Sequence, residues 1–225
     1  MHAAISRAEM LKAEMLRTER RAPGWMRVGF WICEAIAIAV VLRRAAALLT
    51  GPKAGGPPQA ALLDAVFASQ AAVTWVHISC ALVFVLLLPL LFWKRTRETP
   101  GLKYAILSSG FVLAATAYAM TRYNVGGWVE RSAVLVFDSL FVWALLQSLL
   151  AGRRRDGAAQ RRWVLRATAI VLGIATTRPV MGVFFATSRL THLTMQQFFG
   201  VAFWVGFSIN TVAMEIWLRR RGARA

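Results

Sequence analysis

The residues best placed to do chemistry are ionisable groups set inside apolar stretches. Arg178 stands beside Pro179 in IATTRPVMG, residues 174–182, while His77 lies in WVHIS and Asp138 in VFDSL. An ionisable side chain deep in a membrane costs about 2.5 to 3.5 kcal/mol on insertion scales, so it faces water, a partner or a ligand. The expected arrangement is Arg178 bridged to Asp138 with His77 close by. Arg43, Arg44, Arg122, Tyr123, Glu130 and Arg131 lie towards the same surface. Such a set serves either as a packing salt bridge or as a pocket for an acidic head group, for which arginine provides a planar, multidentate donor. Pro179 removes one backbone donor and displaces the carbonyl of Ala175, and Thr176 and Thr177 can satisfy the freed groups.

A second polar set, Arg166, Glu215, Glu34 and the deeper Asn210, lies towards the opposite surface. Arg166 and Glu215 each fall about one helical turn from the end of an apolar stretch, at matching depth on consecutive helices, which predicts that they pair as a structural clamp. Asn210 can add an interhelical hydrogen bond. Redox chemistry has little to work with. The chain has three histidines; His2 is in the N-terminal tail, leaving His77 and His192 as the one axial pair that could hold a b-type haem. Cys33 and Cys80 fall inside apolar stretches without metal-ligand spacing, so neither a zinc site nor a disulfide framework is expected. No nucleotide-binding loop, nucleophile elbow or paired-carboxylate motif occurs.

The elements that must position these residues are membrane helices. Of 225 residues, 58% are hydrophobic and only 16% charged, which excludes an ordinary soluble domain. Six apolar stretches, near 28–49, 70–93, 104–124, 132–151, 163–187 and 197–218, are long enough to cross a hydrocarbon core of about 30 Å as helices. The expected fold is all-α: a polytopic bundle of six transmembrane helices. The segments before, between and after them place 20 of the 27 basic residues on one side of that thread, so by the positive-inside rule both termini are cytoplasmic. The formal charge of +17 is thereby explained by topology, and nucleic acid is not expected as a partner.

Residues 1–24 read as a basic, amphipathic helical segment on the cytoplasmic surface, stopped by Ala22-Pro23-Gly24. Residues 25–218 form the transmembrane domain and 219–225 a basic tail. The long exterior connection, GPKAGGPPQAALLDAVFASQ, opens as a loop and contains ALLDAVF, a candidate short surface helix. Trp25, Trp93, Trp128, Trp163 and Trp217 fall near span ends, as an aromatic belt does.

Several stretches resemble a bacterial family of multi-pass membrane proteins known as domain of unknown function 2306. RRWVLRATAI, 161–170, resembles the family's histidine-led R-R-W-x-x-R run, and Arg178 in TTRP matches its later T-L-R. INTVAMEIW, 209–217, is similar to a P-N-x-x-x-x-E stretch that contributes Asn210 and Glu215. GLKY, 101–104, fits G-R-V-Y, and His77 fits a histidine early in a helix. The resemblance covers roughly 70–218. It departs at two loop histidines, replaced by Arg97 and Gln160, and implies a membrane fold without implying a reaction.

The functional expectation is a non-catalytic protein of the bacterial inner membrane. It would be either an accessory subunit, associating with another membrane protein or with itself, or a binder of an anionic lipid or quinone-like amphiphile in the Arg/Asp/His pocket. Two other readings stay open: a b-type haem or quinone oxidoreductase, and a small proton-coupled transporter using His77, Asp138 and Arg178.

Overall fold

A computed structural model describes residues 23–51, 58–92 and 99–222. The amphipathic segment expected over 1–24, together with His2, Trp93, Arg97 and Arg224, lies almost entirely outside them. The described residues are helical, with α1 at Gly24–Thr50, α2 at Pro58–Ala68, α3 at Ala71–Leu87, α4 at Pro100–Met120, α5 at Gly127–Arg153, α6 at Gly157–Thr191 and α7 at Met195–Gly222. No strand occurs among them.

Local chemistry accounts for several of the boundaries. Pro58 and Pro100 open α2 and α4, where a missing N–H costs nothing. Asp156 accepts a hydrogen bond from the Ala159 amide (2.9 Å) at the start of α6, as an N-cap aspartate does. Before α7, the Gln197 Oε1 accepts from the Thr194 amide (2.8 Å), the reciprocal half of a Thr-x-x-Gln capping box. Gly51, at φ +74°, ends α1 in the left-handed region, which a glycine adopts without a Cβ penalty. Pro89 breaks α3: the helix stops at Leu87, and residues Pro89–Phe92 continue as a tighter 3₁₀ turn. Pro179 has no such effect and lies inside α6.

The chain divides into two units, Met1–Ile32 and Cys33–Ala225. In the first, the described part is the opening of α1, where the Arg27 amide donates to the Pro23 carbonyl (3.2 Å) and the rings of Phe30 and Trp31 meet edge to face at 5.3 Å. In the second, α3 packs on α4, α4 on α5, and α5, α6 and α7 pack mutually. Glycines permit the closest approaches. A Cβ on Gly206 of α7 would stand 2.7 Å from the Thr177 backbone nitrogen of α6, and one on Gly200 would stand 2.5 Å from the Glu130 nitrogen of α5. Small residues at helix crossings are the usual way to gain packing where lipid supplies no hydrophobic drive.

Among the described residues, five helices are long and apolar enough to cross a membrane, over 71–91, 101–123, 127–153, 157–187 and 195–221. The sequence reading adds a sixth over 28–49; the corresponding helix, α1, is not one of these five, and Arg27, Glu34, Arg43 and Arg44 lie along it. Large apolar side chains such as Val136, Leu140 and Trp143 are exposed along α5, as lipid-facing surfaces require. Because consecutive helices from α3 to α7 are joined by short connections, the starts of α3, α5 and α7 share one end with the finishes of α4 and α6. The helix α2 sits at that end. Its Leu63 and Phe67 pack with Met181, Met195, Phe198 and Phe199 of α6 and α7.

Candidate functional site

Under α2 lies a cavity of about 250 Å³. Apolar side chains dominate its lining, among them Phe67, Phe141, Phe199, Phe203 and Phe207. Into this surface project Arg44 of α1, His77 of α3, Glu130 and Asp138 of α5, and Arg178 of α6. An apolar chamber with a few polar groups from different helices is the usual form of a small-ligand site.

Arg178 is half-buried. Its Nε is sequestered without any hydrogen-bond partner, and Nη1 has only a long contact, 3.9 Å, to the Met181 sulfur. The guanidinium groups of Arg44 and Arg43 are near enough to repel it. The expected bridge to Asp138 does not form. Asp138 is buried on α5 with Oδ2 sequestered and unbonded, and the described ion pairs include neither residue. Matching depth brings both to one chamber but leaves them on different walls, α6 and α5.

His77 is not bonded to either. Its Nδ1 lies 3.0 Å from the Thr116 hydroxyl, which itself reaches the carbonyls of Val112 and Leu113 at 2.9 and 2.8 Å. One hydroxyl proton cannot serve both sides, so Thr116 donates to the backbone and accepts from Nδ1–H. In the neutral ring this leaves Nε2 as the acceptor. Arg122, just past the finish of α4 and so at this end of the bundle, is exposed and does not line the cavity. Glu130 is internally satisfied, its Oε2 accepting from the Gly126 amide at 2.6 Å. Arg131 lines the cavity but is exposed, with its guanidinium 5.8 Å from the Trp128 ring.

The residue that sequence reasoning missed is Asp64. It is buried in α2 and accepts from both members of the Arg-Arg pair, from Arg43 Nη2 at 3.1 Å and Arg44 Nη1 at 2.5 Å. Arg44 also lies 4.0 Å from the centroid of the Phe67 ring, a cation–π contact that fixes it further. One carboxylate thus serves two arginines, and with Arg178 alongside, this end of the chamber carries an excess of positive charge. The available signal was an acid inside ALLDAVF, 20 residues after adjacent arginines.

The second polar set is tied together as a clamp. Arg166 grips Glu215 bidentately, Nε to Oε2 at 2.9 Å and Nη2 to Oε1 at 3.3 Å, and Arg219 adds a 3.1 Å bond to the same acid. Trp163 stacks under the Arg166 guanidinium at 4.5 Å. Asn210 Oδ1 accepts from Thr176 at 2.8 Å, joining α7 to α6, and Cys33 lies 3.7 Å from that threonine hydroxyl. Glu34, grouped with this set from the sequence, is buried with both carboxyl oxygens unbonded and joins neither bond network.

His192 stands exposed in the connection after α6, outside the chamber that His77 lines, so the two imidazoles do not face a common haem-sized space. Among the described residues no three His, Cys, Asp or Glu side chains cluster as metal ligands, and both cysteines are free thiols.

A family profile described as "Predicted membrane protein (DUF2306)" matches residues 74–218. No curated protein and no solved structure matches the chain. The matched stretch holds His77, Asp138, Arg166, Arg178, Asn210 and Glu215, whereas Arg43, Arg44 and Asp64 precede it. With well over half of the chain matched and five helices fit to cross a membrane, this protein belongs to the DUF2306 family of membrane proteins.

Proposed function

We propose that the protein binds one amphiphile in the chamber beneath α2, with an anionic group against Arg178 and its apolar body along the phenylalanine-rich wall. The observation that carries this reading is the state of Arg178: a guanidinium in an apolar cavity with a sequestered, unbonded Nε. A sequestered guanidinium nitrogen without an acceptor is costly, and among the described residues the group's hydrogen-bond contact is the long one to the Met181 sulfur. Crowding by Arg43 and Arg44, which share one acid, favours an anionic group over a quinone-like carbonyl, because only the former offsets the excess charge. The role is non-catalytic, either storage and presentation of the amphiphile or an accessory function beside another membrane protein.

In this reading α1 is the sixth span, both termini are cytoplasmic and the membrane is the bacterial inner membrane. The support is the distribution of basic residues: Lys103 near the start of α4, the arginines of 153–166 and those of 219–221 lie at the end away from α2. The reading is tested by phospholipid phosphorus per protein after purification in a neutral detergent. Close to one equivalent in the wild type and a marked loss in Arg178→Gln support it; equal amounts in both proteins overturn it.

A further inference from the structure

An anionic group on Arg178 leaves one side chain of the chamber unanswered. Asp138 lines the same cavity, is buried, and has an oxygen sequestered without a bond. Of the chamber's other charged or imidazole side chains, Arg44 is engaged by Asp64 and Phe67, Glu130 by the Gly126 amide and His77 Nδ1 by Thr116, while Arg131 is exposed beside Trp128. Among the described residues the walls therefore offer one half-buried cation with an unbonded Nε, on α6, and one buried acid with an unbonded oxygen, on α5, with no ion pair between them.

Ligand chemistry follows from that separation. A purely anionic head group satisfies Arg178 but brings a second negative charge towards Asp138 in surroundings of low polarity, where like charges repel strongly. A neutral head group leaves both unmatched. A head group with an acid at one end and a protonated amine at the other answers each wall with its opposite. The amine's N–H donors also suit an acceptor nitrogen of His77, which lines the same chamber from α3 and which a quaternary ammonium, having no N–H, cannot use.

Building on the anion-binding reading, we infer that the chamber selects a zwitterionic head group carrying a phosphate or carboxylate and a primary amine, with the acid on Arg178 and the amine on Asp138. An aminophospholipid and a free aminoalkyl phosphate share this chemistry.

The test is native mass spectrometry of the full-length protein in neutral detergent, with dioleoyl phosphatidylethanolamine, phosphatidylglycerol and phosphatidylcholine supplied at equal concentration. The ethanolamine lipid is expected to bind about fivefold or more tightly than either of the others. Asp138→Asn, nearly isosteric, should abolish its advantage over the glycerol lipid, while Arg178→Gln weakens both. The choline arm makes the comparison from the ligand side, without altering the protein. Displacement of the lipid by free phosphoethanolamine supports recognition of the head group alone; retention of the lipid supports recognition of the whole molecule. Glycerol lipid binding as tightly as ethanolamine lipid, or an unchanged preference in folded Asp138→Asn, overturns the zwitterion and leaves the anion site standing. Equal binding of all three, indifferent to Arg178→Gln, overturns both.

Discussion

Arg178 and Asp138 line one cavity without a hydrogen bond or ion pair between them: among the described residues the guanidinium reaches the Met181 sulfur, and the carboxyl has an oxygen sequestered without a donor. Paired, they would be a packing device. Set on α6 and α5, they present one cation and one acid to the same cavity.

Replacing Arg178 with Met, which keeps the length and removes the charge, should stabilise the ligand-free protein by about 1 to 3 kcal/mol, because the cation lacks an acceptor to lose. The comparison is denaturant unfolding in neutral detergent after exhaustive delipidation. A destabilised Arg178→Met would mean that the guanidinium has a structural partner.

Asp64→Ala should act in the opposite sense. It leaves Arg43 and Arg44 without their shared carboxylate and detaches α2 from α1, at a cost of about 2 to 4 kcal/mol. The figure is at the lower side of the range for buried pairs because Arg43 is 53% exposed and water offsets part of the loss. Limited proteolysis should show faster cleavage around 51–70 in this variant than in the wild type.

Gly206→Ala should separate α6 from α7, since the added methyl would stand 2.7 Å from the Thr177 backbone nitrogen. Overpacking of this kind costs about 1 to 3 kcal/mol, and backbone leaves less room to yield than a flexible side chain. Thermal unfolding reads the loss directly. An unchanged midpoint would show that the two helices are not in close register there.

Glu215→Gln should cost only about 1 kcal/mol or less, because the Arg166–Glu215 pair is part-exposed, at 26% and 33% of the two side chains, and solvent screens it. The wild-type advantage should shrink as salt is raised, and binding in the chamber should be unaffected, since neither residue lines it. A large binding defect would place the clamp in the ligand's path.

How far the sequence could be read depended on whether a feature is local. Thr194-x-x-Gln197, Asp156 and Pro100 act within one turn and open helices at 195, 157 and 100, ahead of the apolar stretches that hydrophobicity alone starts at 197, 163 and 104. The Arg166–Glu215 pair was also legible, as two long side chains at equal depth on consecutive, closely packed helices. Arg178 and Asp138 defeated the same reasoning. Depth follows from counting residues, but the direction in which a side chain leaves its helix relative to a neighbour's does not, and helix axes 8 to 10 Å apart make that direction decisive. Asp64 was hidden differently: in sequence it is one acid in a short surface helix, and only the folding of α2 back over the bundle's end carries it to Arg43 and Arg44. Glu34 was placed with the clamp by depth alone, and the structure gives it no bond there.

Under the proposed function Arg178 is an anion-binding pole in an apolar chamber. A titration with dodecyl phosphate in a neutral maltoside detergent, followed by tryptophan fluorescence, for wild type and for Arg178→Gln, tests that claim. A saturable response in the wild type, weakened about tenfold or more in the variant, corresponds to loss of a charge-assisted contact of about 1.4 kcal/mol or greater. Superimposable curves for the two folded proteins would contradict the claim.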